Sequence, residues 1–491
     1  MAPAESCRLT VAAKIKMCLA FAVFLTSLLD CRMARAQSWT PLNHQPCSAG
    51  QPCFFPGTAL LLTDGAVMAQ NNGGDAWYKL TPDNTGSYVN GTWSQVASLP
   101  AGYSPLYFAS AVLPDGRLII EGGEYNFFVY AATTLGAIYD PISDSWTSVA
   151  PPPEWCCISD AQSVVLANGR FMLANANTSE QAILNEATLT WTATGTGKAD
   201  INNEEGWTLL PNKQLLTVDT RNGTNSEIYV PSSGKWHSAG STIVQLAAGA
   251  EIGPAVLRPD VTVFATGAGG HNAIYDSSSG AWRIGPDFPV LPAGQLAIAD
   301  GPASLLPTGS VLCDTSVPGN LGTYFFEFDG TNLNQVPAPP NAPFEQAFYG
   351  RMLVLPPGQI LFTDGSSDAE IYTPSGTYRA DWAPRIQSAP SSVTRGRSYD
   401  ISGHLFNGLS QGAAYGDDAQ SATNYPLVRI TNLGTGHVFY SRTHDHSSMA
   451  VAFGGRVSTH FDVPLDQETG PSSLVVVTNG IPSDPVAINV E

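Results

Sequence analysis

The chain has 491 residues, which is longer than an ordinary single domain, and 43% of them are hydrophobic, enough for a sizeable core. Its formal net charge of −19 excludes nucleic acid and anionic membrane surfaces as expected partners, because binding phosphate requires a basic surface. Only 13% of the residues are charged, while 47 glycines and 37 prolines indicate many short strands joined by tight turns.

Residues 1–36 have the pattern of a secretory signal peptide. Lys14 and Lys16 precede an apolar run from Met17 to Leu29, and the small residues of Ala34-Arg35-Ala36 form a cleavage site. The apolar run is too short for a stable membrane span. We therefore expect a secreted protein, extracellular or periplasmic, whose mature chain has no transmembrane segment.

Export to an oxidising compartment favours disulfides in the mature chain. Cys47 and Cys53 are predicted to form a short-loop disulfide, while the adjacent Cys156 and Cys157 could either form a vicinal bridge or remain thiols. Cys313 lies in an apolar strand and is expected to be a buried free thiol.

A repeated unit covers residues 37–382. Each copy has an apolar strand, a tight turn, a second apolar strand, a variable loop, a third strand and often a tryptophan. The turn residues that mark the copies are Asp64, Asp115, Asn168, Asn212, Asp260, Thr308 and Pro357, and they lie 44 to 53 residues apart. A period of about 50 residues with four short strands is the size of a kelch blade. The sequence therefore predicts an all-β fold with a seven-bladed kelch-type β-propeller over residues 37–382.

Two further patterns support the propeller. Tyr139 precedes Trp146 by seven residues and Tyr275 precedes Trp282 by the same interval, so we expect these tryptophans to pack between neighbouring blades. The segment Ser38–Leu42 resembles the outer strand around Trp146. We expect it to pair with the last blade and close the ring, which removes a free sheet edge.

The repeat ends near residue 382. Alternating strand patterns follow at 399–403, 427–430, 458–463 and 473–477. Their spacing predicts a small immunoglobulin-like β-sandwich over residues 383–491.

Kelch-type blades followed by such a sandwich resemble the galactose oxidase and glyoxal oxidase group, over nearly all of the mature chain. The resemblance is carried by blade turns such as Leu113-Pro114-Asp115-Gly116-Arg117 and by the strand Leu427-Val428-Arg429, which opens a hairpin in the second domain. It implies an early-set second domain and a copper ion on the propeller axis. In that group, two tyrosines and two histidines hold the copper, and one tyrosine is cross-linked to a cysteine; copper(II) suits such phenolate and imidazole donors.

In that group the propeller ligands lie where a blade's innermost strand begins. Counting eight residues back from each turn residue gives Pro56, Tyr107, Asp160, Glu204, Ile252, Asp300 and Tyr349. Asp160 and Glu204 thus stand where that group has the cysteine and the cross-linked tyrosine. The Tyr-His pair of the last blade corresponds to Phe348-Tyr349 or to Tyr349-Gly350, and neither placement supplies the histidine. The copper-ligand set is not retained, so copper is disfavoured as a cofactor. His437, His444 or His446 of the second domain could still reach the axis.

Carboxylates occupy the substituted positions instead. We expect Tyr107, Asp160, Glu204, Asp300 and Tyr349 to converge at one mouth of the central channel and bind a ligand, with Glu205, Glu251 and Glu345 nearby. The alternative for each carboxylate is a hydrogen bond to backbone of a neighbouring blade, or exposure to solvent.

The second domain contains a His-x-His pair, His444 and His446. On a strand both imidazoles would project from one face, and carboxylates could complete a divalent site for zinc, manganese or iron. The alternative is a polar hairpin tip that packs against the propeller. Asp417-Asp418 is predicted to be a solvated turn.

Three functions are compatible with these patterns. The first, which we take as the prediction, is a non-catalytic secreted module that binds a glycan, cell wall or protein ligand at the propeller mouth. The second is a metal- or carboxylate-dependent hydrolase. The third is a copper-radical oxidase whose ligands lie in a different register. The sequence leaves open whether the protein is an enzyme.

Overall fold

The computed structural model describes residues 37–416 and 421–491, and these residues are folded almost entirely into β-strands. The helical segments of this part are three short 3-10 turns, Ala342–Phe344, Ala347–Tyr349 and Ala380–Trp382. The prediction of an all-β protein is confirmed. The predicted signal, residues 1–36, and the predicted turn at Asp417-Asp418 lie outside the described residues. None of the described helical segments is long and apolar enough to cross a membrane.

Seven antiparallel sheets, each with four strands from the repeat, follow one another along the chain, and we number them 1 to 7; sheet 6 has a fifth strand from outside the repeat. Sheet 1 comprises Pro56–Leu61, Val67–Asn71, Trp77–Thr81 and Thr92–Gln95, and sheet 2 comprises Ala109–Val112, Leu118–Glu121, Gly136–Asp140 and Ser145–Val149. Sheet 3 comprises Ser163–Val165, Phe171–Ala174, Gln181–Asn185 and Thr190–Thr194, and sheet 4 comprises Thr208–Leu209, Leu215–Val218, Asn225–Val230 and Lys235–Ser241. Sheet 5 comprises Ala255–Leu257, Thr262–Ala265, Ala273–Asp276 and Ala281–Ile284, and sheet 6 comprises Ala303–Leu305, Val311–Ser316, Thr323–Phe328 and Leu333–Val336. Sheet 7 comprises Arg351–Val354, Ile360–Thr363, Glu370–Thr373 and Ser38–Pro41.

Burial within each sheet follows its strand order. In sheet 2, the first two strands are buried along their whole length, whereas the outermost strand, Ser145–Val149, is mostly exposed. Strands that are covered on both faces are buried along their whole length instead of alternating between buried and exposed residues. Trp146 in that outer strand donates a hydrogen bond from Nε1 to the Ala97 carbonyl beyond sheet 1, at 2.9 Å, and Trp282 donates one to Ser226 Oγ of sheet 4, also at 2.9 Å. The tryptophans thus join adjacent sheets, as their spacing predicts.

The sheets form a closed ring. The first strand of sheet 1 lies beside the first strands of sheets 2 and 7. Ser38–Pro41 pairs with Glu370–Thr373 in antiparallel register, with Ser38 opposite Thr373. The predicted closing strand is confirmed, and it covers the edge that sheet 7 would otherwise present to solvent.

Nine further strands, which we call the C-terminal sheet, are connected by hydrogen bonds. They are Arg385–Ser388, Ser392–Val393, Ser398–His404, Leu427–Asn432, Val438–His444, Arg456–Asp462, Gly470–Thr478, Ile481–Pro482 and Val486–Val490. Backbone hydrogen bonds join this region to the hairpin turns of the ring: Thr443 N to Thr63 O at 3.2 Å and His446 N to Pro114 O at 3.2 Å. We call this the turn end of the ring.

A loop of the C-terminal region, residues 411–416 and 421–425, enters the centre of the ring, and we call it the axial segment. Ala413–Ala414 pairs with Ala303 and Ser304 as a fifth strand of sheet 6. Gln411 Oε1 accepts a hydrogen bond from Leu209 N at 2.7 Å, and the Tyr425 hydroxyl donates one to the Leu61 carbonyl. The axial segment therefore contacts first strands from opposite parts of the ring and fills its centre.

The predicted states of Cys47, Cys53 and Cys313 are confirmed. Cys47 and Cys53 form a disulfide, and Cys313 is buried and free. Cys156 and Cys157 are both free, with their Sγ atoms 2.6 Å apart.

A buried ion pair cluster lies between sheets 3 and 4. Lys198 Nζ is 2.8 Å from Glu205 Oε2 and 2.9 Å from Glu227 Oε2. Burial opposes the charge of Lys198, but the two carboxylates raise the pKa of its ammonium above the ordinary value. Removing the cation would leave buried carboxylates without compensation, which costs far more than losing an exposed pair.

We expect Lys198→Met to lower the free energy of unfolding by about 3–5 kcal/mol. Arg379→Met is the matched control, since it breaks the exposed Arg379–Asp381 pair, which contributes little to stability. Urea denaturation measures both. Adding Glu205→Gln and Glu227→Gln to the Lys198 variant should restore part of the loss. Equal losses in the two single variants would contradict this account.

Candidate functional site

A cavity of about 380 Å³ opens on the axis at the end of the ring opposite the hairpin turns, where the first strands begin. We call this the cavity end. Most of the lining residues lie just before the first strand of one of the sheets 2 to 7. The others lie in the loop between the second and third strands of sheet 2, at the end of the second strand of sheet 6 and in the loop that follows it, or in the axial segment. They are Tyr107, Glu124, Tyr125, Asp160, Glu204, Glu251, Ala297, Ala299, Asp300, Ser316, Pro318, Gly319, Gln346, Phe348 and Tyr415. Because every sheet presents the same end to the axis, residues far apart in sequence meet here.

Four of the five residues expected to bind a ligand line this cavity: Tyr107, Asp160, Glu204 and Asp300. The fifth, Tyr349, is not among the lining residues, and Phe348 takes its place. The two rings lie 4.3 Å apart, and Tyr349 is turned outward and 40% exposed. The difference arises because the chain before sheet 7 makes a 3-10 turn over Ala347–Tyr349, which changes the direction of successive side chains.

Three of these positions share an unusual backbone conformation. Tyr107, Glu204 and Asp300 have φ angles of 54°, 58° and 55°. Each stands at the same place in its repeat, and each side chain faces the same cavity. Left-handed backbone is costly for side-chain-bearing residues and clusters at functional sites. Polar residues therefore occupy three positions at which glycine would adopt the backbone conformation with less strain.

Carboxylates dominate the cavity. Oxygen atoms of Glu204, Glu251 and Asp300 lie within 4.8 Å of one another. Burial, together with the nearby charge of Glu251, raises the pKa of Asp160 above its ordinary value. The cavity therefore brings several carboxyl groups close together, and this proximity favours the uncharged form of Asp160.

Two residues that the repeat did not predict are Arg351 and Tyr415. The Arg351 guanidinium lies 3.6 Å from the Tyr415 ring centroid and 5.7 Å from that of Tyr107. Its Nη1 donates to the carbonyls of Phe348 and Gly350 at 2.9 and 2.8 Å. Tyr415 belongs to the axial segment, outside the repeat, so no periodic signal could have placed it. Arg351 could have been suspected as a charge at the start of an apolar first strand.

The two histidines of the His-x-His pair do not face one site. His444 ends the strand Val438–His444, and the left-handed backbone of Asp445, with φ of 54°, interrupts the alternation. His444 stacks on His460 at 5.5 Å and lies 2.7 Å from an oxygen of Asp445. His446 is instead buried against Thr459, 2.8 Å from its hydroxyl.

Burial lowers the pKa of His446 to about 3, so its imidazole is neutral at ordinary pH. Both histidines lie at the turn end, since the backbone of His446 bonds to Pro114 there. Neither is among the described residues that line the cavity. Their role as metal ligands stays a prediction, for which His444, Asp445 and His460 offer the donors that lie close together.

The three carboxylates expected near the ligand-binding residues, Glu205, Glu251 and Glu345, do not all lie in the cavity. Glu251 lines the cavity, whereas Glu205 is buried beside Lys198 and burial raises its pKa to about 8. Glu345 lies outside the lining set, and burial followed by the charge of Asp364 raises its pKa to about 7. Glu205 therefore follows neither alternative, since its carboxyl group is buried and bonds to the side chains of Lys198 and Thr217.

The donor set of the cavity does not fit copper of the kind that the resemblance implies. The described lining residues offer carboxylates and phenols, with no imidazole or thiol among them. Copper(II) in such a site is held by imidazole nitrogens as well as phenolates. Hard carboxylate oxygens suit cations of a different chemistry.

Comparisons with known proteins agree with the fold. No protein-family model matches the chain. Over 80 residues, 16% of this chain and 17% of the relative's length, it is 34% identical to the Kelch-like protein terF of Aspergillus terreus.

Two solved structures are also similar. An inactive variant of virginiamycin B lyase from Staphylococcus aureus, with quinupristin, has a TM-score of 0.50 at 10% identity, covering 69% of this chain and 100% of that one. A fungal alcohol oxidase of the AA5 family, in complex with copper, has a TM-score of 0.43 at 14% identity, covering 90% and 86%.

The repeat, the ring of sheets and the partial Kelch-like match support a galactose-oxidase-like kelch propeller fold. The cavity on the axis of this fold is lined by carboxylates and aromatic rings.

Backbone strain at the cavity can be tested at Glu204. Because glycine adopts the left-handed conformation at no steric cost, Glu204→Gly should be more stable than Glu204→Ala by about 1 kcal/mol. Glu180 is exposed and absent from the positive-φ residues, so there the order should reverse, with glycine the less stable. Urea unfolding of the four variants measures the difference. Alanine being the more stable at position 204 would rule out strain there.

Proposed function

We propose that the protein is a secreted ligand-binding propeller. Residues 37–382 would form a seven-bladed kelch-type propeller, and residues 383–491 an immunoglobulin-like early-set domain. The seven four-stranded sheets support the blade count, and the closing strand Ser38–Pro41 supports the start of the propeller. The signal pattern at residues 1–36 and the Cys47–Cys53 disulfide support export.

The ligand would occupy the axial cavity. The observation that carries this proposal is that Tyr107, Asp160, Glu204 and Asp300, from four different repeats, line one cavity of about 380 Å³. Concave sites of this size with a few convergent polar groups and aromatic walls are typical of ligand pockets. The carboxylates suit hydroxyl groups or cations, and the rings of Tyr107, Tyr125 and Phe348 offer apolar faces. An extracellular carbohydrate or protein ligand fits both features.

Filling the cavity tests this proposal. Ala299 lines the cavity, and Ala299→Trp should block it and weaken ligand binding by at least tenfold, whereas Ala281→Trp, exposed on the outermost strand of sheet 5, is the matched control. Glycan and peptide arrays probed with the purified protein and both variants give the readout. The proposal fails if the arrays yield no ligand, or if the blocked variant keeps the ligands of the parent protein.

A carboxylate-dependent hydrolase is the second candidate function, and one observation favours it. Asp160, whose pKa is raised by burial and by Glu251, would serve as the general acid. Oxygens of Glu204, Glu251 and Asp300 lie within 4.8 Å of one another, and one of these carboxyl groups would be the second catalytic residue.

For a hydrolase, turnover of p-nitrophenyl glycosides or esters should fall by about 10²-fold or more in Asp160→Asn and in Glu251→Gln. Glu345→Gln, outside the cavity lining, should keep the parent rate. Steady-state kinetics on a substrate panel decides the matter. Absence of turnover by the parent protein, or a rate unchanged in the Asp160 variant, removes this candidate.

A further inference from the structure

Two histidines of the C-terminal sheet lie directly opposite each other on neighbouring strands. His444 ends the strand Val438–His444, and His460 lies in the antiparallel strand Arg456–Asp462, where the register pairs the two residues. Their imidazole rings are stacked, with centroids 5.5 Å apart. Opposed residues of an antiparallel pair project from the same face of the sheet, with Cβ atoms about 4.5–5.5 Å apart. Two imidazoles are therefore available to one ion on this face.

A carboxylate completes this group of donors. Asp445 has a left-handed backbone, and its Oδ2 lies 2.7 Å from His444 Nδ1. One donor atom from each of His444, Asp445 and His460 lies within 4.8 Å of the other two. A tetrahedral zinc ion, bound at about 2.0–2.2 Å, holds its ligand atoms about 3–3.5 Å apart. Because the side chain of Asp445 is 63% exposed and His460 is exposed as well, small side-chain rotations can bring the three donors to that spacing.

The other ring nitrogen of His444 is held by a second carboxylate. His444 Nε2 lies 3.2 Å from Asp462 Oδ1 and 3.3 Å from Ser398 Oγ. Arg442 Nη1 in turn donates to the other oxygen of Asp462 at 3.2 Å. A metal-bound histidine commonly donates its second N–H to a carboxylate in this way, which fixes the tautomer and the direction of the ring. Asp462 is thus positioned to hold the proton on Nε2 while Nδ1 binds an ion.

The row of opposed residues continues to a third carboxylate. On its other side, His460 lies directly opposite Asp400 of the strand Ser398–His404. Asp400, Asp445 and Asp462 thus neighbour the two imidazoles, whereas Arg442 is the basic side chain bonded to this group. An excess of carboxylates over basic groups favours a divalent cation at this face of the sheet.

We infer that His444, His460 and Asp445 bind a zinc ion at the turn end of the ring, and that Asp462 orients His444 for it. Imidazole nitrogens with a carboxylate oxygen suit zinc, whereas calcium and magnesium prefer sites built of oxygen ligands. The ion joins the ends of two neighbouring strands. Three protein ligands leave the fourth position of a tetrahedral ion open to water.

This site differs from the pair that the His-x-His pattern indicates. His446 is buried against Thr459, 2.8 Å from its hydroxyl, and His460 of the neighbouring strand supplies the second imidazole instead. The site lies at the turn end, whereas the axial cavity opens at the other end of the ring. The inference therefore does not depend on the proposed function.

Titration of the full chain with zinc tests the inference. The protein is freed of metal with EDTA, dialysed, and titrated with zinc chloride in a calorimeter; calcium and magnesium chloride are the comparison ions. We expect saturation at one zinc ion per chain and no comparable binding of calcium or magnesium. Because zinc binds the folded state, saturating zinc should also raise the unfolding temperature by at least about 2 °C.

Variants of the ligands locate the ion. His460→Gln and Asp445→Asn should each weaken zinc binding at least tenfold, and asparagine tolerates the left-handed backbone at position 445. Asp462→Asn should weaken it about 10–100-fold with all three ligands in place, and Asp462→Glu should restore part of the loss. His437→Gln is the matched control: His437 also bonds to a carboxylate, that of Glu468 at 2.7 Å, but among the described residues it belongs to no group of three metal donors.

Thermal unfolding in EDTA separates loss of the ligand from loss of the fold. Because both side chains are exposed, His460→Gln and Asp445→Asn should then unfold within about 2 °C of the parent protein. With saturating zinc, the parent and His437→Gln should gain stability and the two ligand variants should not.

Three results would overturn the inference. The first is a parent protein that binds no zinc to saturation, and the second is zinc binding that His460→Gln and Asp445→Asn leave unchanged. The third is zinc binding that Ala299→Trp abolishes while the two ligand variants keep it, since the ion would then lie in the axial cavity. The proposed ligand-binding cavity stands in the first two cases, because its own test uses glycans and peptides.

Discussion

The antiparallel pairing of Ser38–Pro41 with Glu370–Thr373 closes the ring on which the site depends. Without it, sheet 7 would expose an edge, and the first and last sheets would be joined by side-chain packing and a few hydrogen bonds, such as that from Gly365 N to the Pro56 carbonyl at 2.9 Å. The aromatic contacts of Trp39 with Phe325, Phe362 and Tyr372 add an apolar anchor to the strand hydrogen bonds. Closure matters for the cavity because its carboxylates come from separate sheets, and only a ring of fixed circumference holds them at ligand-binding distances.

The axial segment provides the second constraint. A ring of sheets has an open centre, and here Gln411, Ala413 and Tyr425 fill it through contacts with first strands of different sheets. Tyr415 at the inner end of this segment stacks on Arg351 and donates its hydroxyl hydrogen to the Phe348 carbonyl at 2.9 Å. The channel thereby becomes a pocket that is open at the cavity end. The C-terminal region therefore shapes the site although it contributes no carboxylate to the described lining residues.

The cavity is a locally unfavourable arrangement maintained by a stable scaffold. Clustered carboxylates repel one another, and left-handed backbone at Tyr107, Glu204 and Asp300 adds strain. In the interior, Lys198 lies between Glu205 and Glu227 and compensates their charge.

The amino-acid sequence alone determined the all-β fold, the repeat, the closing strand, the Cys47–Cys53 disulfide and four residues of the cavity wall. These features follow from short-range patterns, because turn spacing and strand alternation recur with the period of the sheets. Features that do not recur with the repeat depend on the tertiary structure. A local 3-10 turn places Phe348 rather than Tyr349 in the cavity wall, and Glu205 is buried beside Lys198. His446 is buried against Thr459, away from His444. It also brought Tyr415 to the axis from a loop outside the repeat, since the path of that loop depends on packing against several distant strands at once.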